Sequence, residues 1–184
     1  MQVRKRKRLL NQRMIVDEAV QLLNEGGLDN LSLRKLADRL NVSAPSIYRH
    51  FADKAALKSA ILDTMFFETL ESIPAHPEAA AWMEDFGEAL WRMMMHVRDY
   101  ARLLLVTDIQ PEHVARIIAT VRARLEPLAM PTEEALNLQS SIQALLIGWA
   151  AFLHSPIGPS LTQHLAIEQL ALRDMRRLIA AYCD

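Results

Sequence analysis

The sequence predicts an all-α protein, with a three-helix N-terminal head on a larger helical body. Three observations predict it. Ala, Leu, Met, Arg and Glu dominate the chain, and all of them favour helix. Glycine is scarce, at five in 184 residues, and β-branched runs are few. Apolar side chains recur every three or four positions along most of the chain. With 51% apolar and 23% charged residues, the composition is ordinary for a globular protein and excludes wholesale disorder.

The elements follow in order. Ile15, Val16, Ala19, Val20, Leu22 and Leu23 form the stripe of a first helix, and Gly26-Gly27 supply its stop. Ser32 caps a short second helix through Leu40, whose stripe is Leu33, Leu36, Ala37 and Leu40. Asn41 and Val42 make a tight turn. Ser43 caps a third helix carrying Ile47, Tyr48 and Phe51, with Pro45 in its first turn, where a missing N–H costs nothing. Asp53 caps a longer fourth helix with Leu57, Ile61, Met65 and Leu70 at helical spacing. Pro74 and Pro77 bracket His76, end that helix and mark the natural break in the chain.

In the body, a helix is predicted over residues 78–96, rich in Trp82, Met83, Phe86, Leu90, Trp91, Met94 and Met95. A shorter one covers 100–106, and Pro111 opens another that runs to 125. Pro127 and Pro131 punctuate a loop before a long helix over 133–154. The segment 155–159 breaks it. A last helix carries Ile167, Ala171, Met175, Leu178 and Tyr182 as its stripe.

The net charge of −1 hides a split. Residues 1–58 carry twelve Lys and Arg against six Asp and Glu, a net of +6; residues 59–184 carry nine against sixteen, a net of −7. A basic head on an acidic body suggests that the head meets a polyanion. Five of the positive charges sit at residues 4–8, so a solvated basic tail is the plainer alternative. That run is like the n-region of a signal peptide, but no h-region follows. The longest apolar stretch, residues 142–153, is too short for a bilayer, which takes about 20 residues. The single cysteine, Cys183, allows neither an internal disulfide nor a zinc cluster and suits a reducing compartment. A cytoplasmic, nucleoid-associated protein without a membrane span is expected, and neither a metal nor another cofactor.

Residues 32–51 give two short helices joined by a turn of three to four residues. That geometry lays the second helix in a DNA major groove while the first braces it. A small residue at Ala37 permits a close helix crossing, and Val42 and Ile47 complete the small core. Ala44, Ser46, Tyr48, Arg49 and His50 are left to face outward. Ser46, Tyr48 and His50 can hydrogen-bond phosphate or base edges, Arg49 can reach phosphate or guanine, and Ala44 or Pro45 can touch a thymine methyl. Arg34 and Lys35 start the bracing helix, and Lys54 sits where free helix N–H groups favour a phosphate. The plainer alternative is a helical hairpin whose Tyr48 and Phe51 simply pack.

The run Leu31-Ser32-Leu33-Arg34-Lys35-Leu36-Ala37, then Leu40-Asn41-Val42-Ser43-Ala44-Pro45-Ser46-Ile47-Tyr48-Arg49-His50-Phe51, then Lys54-Ala55-Ala56-Leu57, resembles the DNA-binding domain of the TetR family. The resemblance extends upstream through Ala19, Leu22, Leu23 and Gly27 and covers about residues 10–65. It implies a homodimeric repressor whose head binds a palindromic operator and whose body binds a small effector. It also implies base or nearby backbone contacts by Arg34, Ala44, Pro45, Ser46 and Tyr48, and a phosphate contact by Lys54; Lys35, Ser43, Arg49 and His50 complete the candidate DNA-contacting set by their place and chemistry. Ala44 departs from the tetracycline repressors of that family, which carry an amide-bearing residue there, so a different operator is expected. Residues 96–99, Thr107 and 146–148 weakly resemble the body of those repressors. Leu104 and Leu70 stand where that body has its metal-holding and first ligand-contacting histidines, so a hydrophobic effector is expected in place of magnesium–tetracycline.

The head is thus assigned to residues 1–52 and the effector-binding, dimerising body to 53–184. The helix 133–153 is apolar nearly all round from Ile142, so one side can face the core and the other a partner. Together with 165–182 it would form a four-helix bundle in a homodimer, with Gly148 allowing close approach. A monomer with a wrapped central helix is the alternative. Trp82, Trp91, Met94, Met95, Tyr100, Leu104, Gln139, Gln143 and Trp149 are candidates to line an effector pocket, although such a Met-Trp stripe also suits plain core. His96, His113 and His154 are read as surface or satisfied groups. Leu57, Ile61 and Met65 tie head to body, so a tilt of the fourth helix would spread the heads. No enzymatic constellation is visible: Glu84-Asp85 and Glu133-Glu134 are adjacent pairs whose side chains diverge. A helical ligand-binding or adaptor protein with a non-specific DNA-binding head is the remaining alternative.

Overall fold

The computed structural model describes residues 10–183; the basic run at 4–8 lies outside them. Among the described residues there are ten α-helices and no strand. The head contains α1 (Gln12–Gly26), α2 (Leu33–Arg39) and α3 (Ala44–Tyr48), and α4 (Lys54–Ser72) runs from it into the body. There follow α5 (Ala79–His96), α6 (Tyr100–Leu105), α7 (Pro111–Leu125), α8 (Thr132–Leu153), α9 (Gly158–Thr162) and α10 (Ile167–Cys183).

Side-chain caps set the starts of α1, α2 and α4. Asn11 accepts the Met14 N–H at 2.9 Å, Ser32 that of Lys35 at 3.3 Å and Asp53 that of Ala56 at 2.8 Å. Ser43 precedes α3 in an extended conformation but makes no side-chain cap. Its hydroxyl pairs with Ser46 Oγ at 2.8 Å instead. Asn41 takes the turn in the left-handed region, at φ 52°, which asparagine tolerates.

The head core is Ile15, Ala19, Leu23, Leu36, Ala37, Ile47 and Phe51. Arg39 clamps α2 to α1 through Glu18 at 2.5 Å and Glu25 at 2.6 Å. In the body α5, α8 and α10 pack on one another, α7 covers α8, and α4 touches α1, α5 and α6. The buried stripe of α10 is Ile167, Ala171, Met175 and Ile179, so Leu178 is half-buried and Tyr182 exposed, contrary to the predicted stripe. A ridge repeating every four residues is what an inclined helix crossing buries.

Two further differences from expectation arise in α8 and after it. Helix α8 has 22 residues, so its length and composition alone would let it cross a membrane, which the 12-residue stretch did not suggest. Its buried stripe of Ala135, Leu138, Ile142, Leu146 and Ala150 instead serves the core. The segment 155–159 breaks α8 but also starts α9. Pro159 sits in its first turn, and Gly158 is so close to the Leu153 carbonyl oxygen that no Cβ fits.

Candidate nucleic-acid interface and ligand cavity

Helix α3 separates its residues cleanly. Ile47 is fully buried and Tyr48 is 54% exposed; the helix ends at Tyr48, short of Phe51, which is 4% exposed just beyond it, so of Tyr48 and Phe51 only Phe51 packs. Ser43, Pro45 and Arg49 are exposed, and Ala44 and Ser46 are half-buried. Arg49 Nη2 donates to Ser46 Oγ at 3.3 Å, extending the Ser43–Ser46 pair into a short polar chain along the helix. Arg34 and Lys35 are exposed on the first turn of α2, and Lys35 Nζ is tied to Asn30 Oδ1. Lys54 Nζ donates to the Leu28 carbonyl at 3.4 Å. His50 is half-buried and lines the cleft between head and α7 with Gln12, Asp53 and Ala56.

Besides the packing of α1 on α4, one cluster of polar contacts ties the end of α1 to the start of α6. Gly27, at φ 70°, turns the chain out of α1 so that the Leu28 N–H donates to Asp99 Oδ2 at 2.8 Å. The Arg98 N–H donates to Asn24 Oδ1 at 2.9 Å. Arg102 grips Asp29 with both guanidinium ends at 3.0 and 3.1 Å. The hydrogen bond and the charge of Arg102 hold the Asp29 carboxyl below its ordinary range. Asp99 itself has left-handed dihedrals, φ 61°, and immediately precedes α6.

A cavity of about 40 Å³ lies between α4, α6, α7 and α8. Leu62, Phe66, Leu104, Ile109 and Ile117 give it apolar walls. Ser59, Asp63, His113, Tyr100 and Gln143 supply its polar groups. Asp63 is held by Arg116 at 2.5 Å and by His113 Nδ1 at 3.1 Å.

Of the nine pocket residues expected from sequence, Tyr100, Leu104 and Gln143 line this cavity. Gln139 is buried behind it and donates to Gln143 Oε1 at 2.8 Å. Trp82 (1% exposed), Trp91 (2%) and Met94 (1%) are core, with Trp82 stacked on Phe86 at 5.8 Å. Met95 packs half-buried against the same core. Trp149 stands on the opposite, open face of α8 with Leu145, Gly148 and Phe152. The aromatic side chains offered the most apolar area and the core took them. Sequence reasoning missed Ser59, Asp63 and His113. The only local signal was Ser59 and Asp63 at i,i+4, interrupting an apolar helix. His113 is satisfied by Asp63, as read, but it also lines the cavity.

A helix-turn-helix on an all-α body is a build found among DNA-binding proteins. Known proteins agree. Residues 15–61 match the family model for bacterial regulatory proteins of the tetR family. The class D tetracycline repressor of Escherichia coli is 31% identical over 160 residues, covering 84% of this chain and 66% of the repressor. The chain thus spans just under two thirds of that relative's length. A TetR variant from Acinetobacter baumannii AYE, solved with minocycline, superposes with a TM-score of 0.75 at 24% identity, covering 94% of this chain and 96% of that one. A possible TetR family regulator from Streptomyces coelicolor gives 0.74 at 22%, covering 93% and 98%. Residues 15–61 of the chain thus form a DNA-binding domain of the type that opens bacterial regulatory proteins of the tetR family.

Proposed function

We propose that the chain is a sequence-specific repressor that binds a palindromic operator as a homodimer and is released by a small, mainly apolar effector. The observation that carries this reading is the adjacency of Asp99 and Tyr100. Asp99 holds the head through Leu28, and the next residue lines the cavity. The cavity is far smaller than the 300–1,000 Å³ of a typical ligand site. A ligand therefore has to push α6 and α4 apart, and the start of α6 carries the head's fastening with it. The coupling free energy for such a device is typically about 1–3 kcal/mol.

The DNA-contacting set is Arg34, Lys35, Ser43, Ala44, Pro45, Ser46, Tyr48, Arg49 and Lys54, with His50 at its margin. The exposure of Tyr48 supports this, since a packing role would have buried it. Head and body divide at residues 1–52 and 53–184, with α4 as the shared lever. Dimerisation runs through 133–153 and 165–182. Leu145, Trp149 and Phe152 form an apolar strip there, and a Cβ added at Gly148 would meet nothing within 4 Å, leaving room for a partner helix. Tetracycline with magnesium is not the proposed effector, because the aliphatic Leu104 lines the cavity and Leu70 is buried core. The protein is proposed to work in the cytoplasm and to catalyse no reaction.

Site selection from a random DNA pool with purified protein tests the reading. Paired half-sites with centres one helical turn apart, about 34–36 Å, or a multiple of that, are expected. Binding that is weak, sequence-blind and set by salt alone would refute it and restore a non-specific helical adaptor.

A further inference from the structure

The cavity contains a polar group to which the repressor reading gives no role beyond adjacency. Tyr100 is 2% exposed and lines the cavity, and its hydroxyl has no hydrogen-bond partner among the described residues. Burial pushes the phenol far above its ordinary range, so it keeps an O–H to donate. Gln143 adds a second donor: its amide oxygen is taken by Gln139 at 2.8 Å, which leaves its N–H groups free to donate.

The other polar side chains are already committed. Asp63 is paired with Arg116 and His113, Ser59 Oγ lies 3.5 Å from His113 Nδ1, and the Arg116 guanidinium sits 3.9 Å over the Phe67 ring. The charges of Asp63 and Arg116 cancel. An ionic ligand would lose its hydration here without gaining a free counter-charge. A plain hydrocarbon would bury the Tyr100 hydroxyl unsatisfied, which costs about as much as a hydrogen bond.

We propose that the cavity selects an uncharged, mainly apolar molecule bearing a carbonyl-type acceptor, which Tyr100 recognises with Gln143 as second donor. This rests on the reading of the cavity as the effector site. Its present volume of about 40 Å³ is below the roughly 150 Å³ that admits benzene, so the probe has to open it.

The test titrates four one-ring probes into the full chain, followed by protein-observed NMR: acetophenone, ethylbenzene, benzoate and benzylamine. Acetophenone is expected to bind tightest. Tyr100→Phe keeps the ring and loses the donor, so it should lower acetophenone affinity about tenfold and leave ethylbenzene unchanged or tighter. Should Tyr100→Phe fail to fold, Gln143→Leu carries the same comparison, and the preference for the ketone over the hydrocarbon must shrink there too. Tightest binding of benzoate or benzylamine, or an undiminished ketone preference in the variants, overturns the ligand class while leaving the cavity a binding site. If no probe shifts the Leu104 and Ile117 resonances, the cavity reading falls as well.

Discussion

Removing the Asp99 carboxylate should uncouple the head from the body. This carboxylate accepts the Leu28 N–H at 2.8 Å across 71 positions of sequence, in a part-buried setting. A hydrogen bond to a charged group contributes about 1.5–3 kcal/mol, against about 0.5–1.5 for a neutral one. In Asp99→Ala the Leu28 amide loses that partner, so its hydrogen exchange should accelerate about 10- to 150-fold, the range those energies imply. Asp99→Asn keeps an uncharged acceptor and should give about fivefold. Asn also accepts the left-handed dihedrals at φ 61°, where Ala is strained, so Asp99→Asn reads the lost charge without backbone strain. In fluorescence anisotropy both variants should bind operator more weakly and respond less to effector, with Ala the weaker. Wild-type exchange at Leu28 in both variants would refute the bond's importance. Free exchange at Leu28 with unchanged operator affinity and effector response would refute the coupling.

Further outcomes follow from other contacts. Tyr48→Ala should lower operator affinity by about 1–3 kcal/mol, in gel-shift titrations, with an unchanged thermal midpoint, because the side chain is 54% exposed. Trp149→Glu should turn a dimer into a folded monomer in analytical ultracentrifugation, since the half-buried side chain lines an open apolar face at the margin of the core. Gly158→Ala should destabilise the fold by about 1–3 kcal/mol in denaturant titration, because the added methyl meets the rigid Leu153 backbone oxygen. The Asp29 carboxyl, held down by Arg102, should titrate below its ordinary value of 3.8 by NMR and return to it in Arg102→Met. Its depressed value makes the Asp29–Arg102 contact a contribution present above pH 3.8 and lost as the pH falls through the folded value.

The head was legible because its rules are local. Ser32 and Asp53 cap helices through N–H groups three residues away. The stripe through Leu33, Leu36 and Ala37 closes within the first turns of α2. Even Ser43, the cap that failed, lies where α3 begins, and its hydroxyl found another partner at the same spacing of three. The cavity was barely legible. Its polar centre joins Asp63 to His113 across 50 positions, and nothing in α7 alone says that His113 turns inward. Trp82 and Trp91 were misplaced because aromatic area signals burial without saying whether the burial is against solid core or around a void.

By itself, then, the amino-acid order determined which segments are helices, where the helix-turn-helix begins, and that a basic head sits on an acidic body. These depend on neighbours within about one helical turn, or on summed charge. Tertiary structure alone decided which faces of α4, α6, α7 and α8 converge on a cavity. It also decided that α8 leaves Trp149 and Phe152 open, and that Asp99 and Tyr100 link the cavity to the head. Those are outcomes of how helices cross, and crossing depends on every side chain at each contact together.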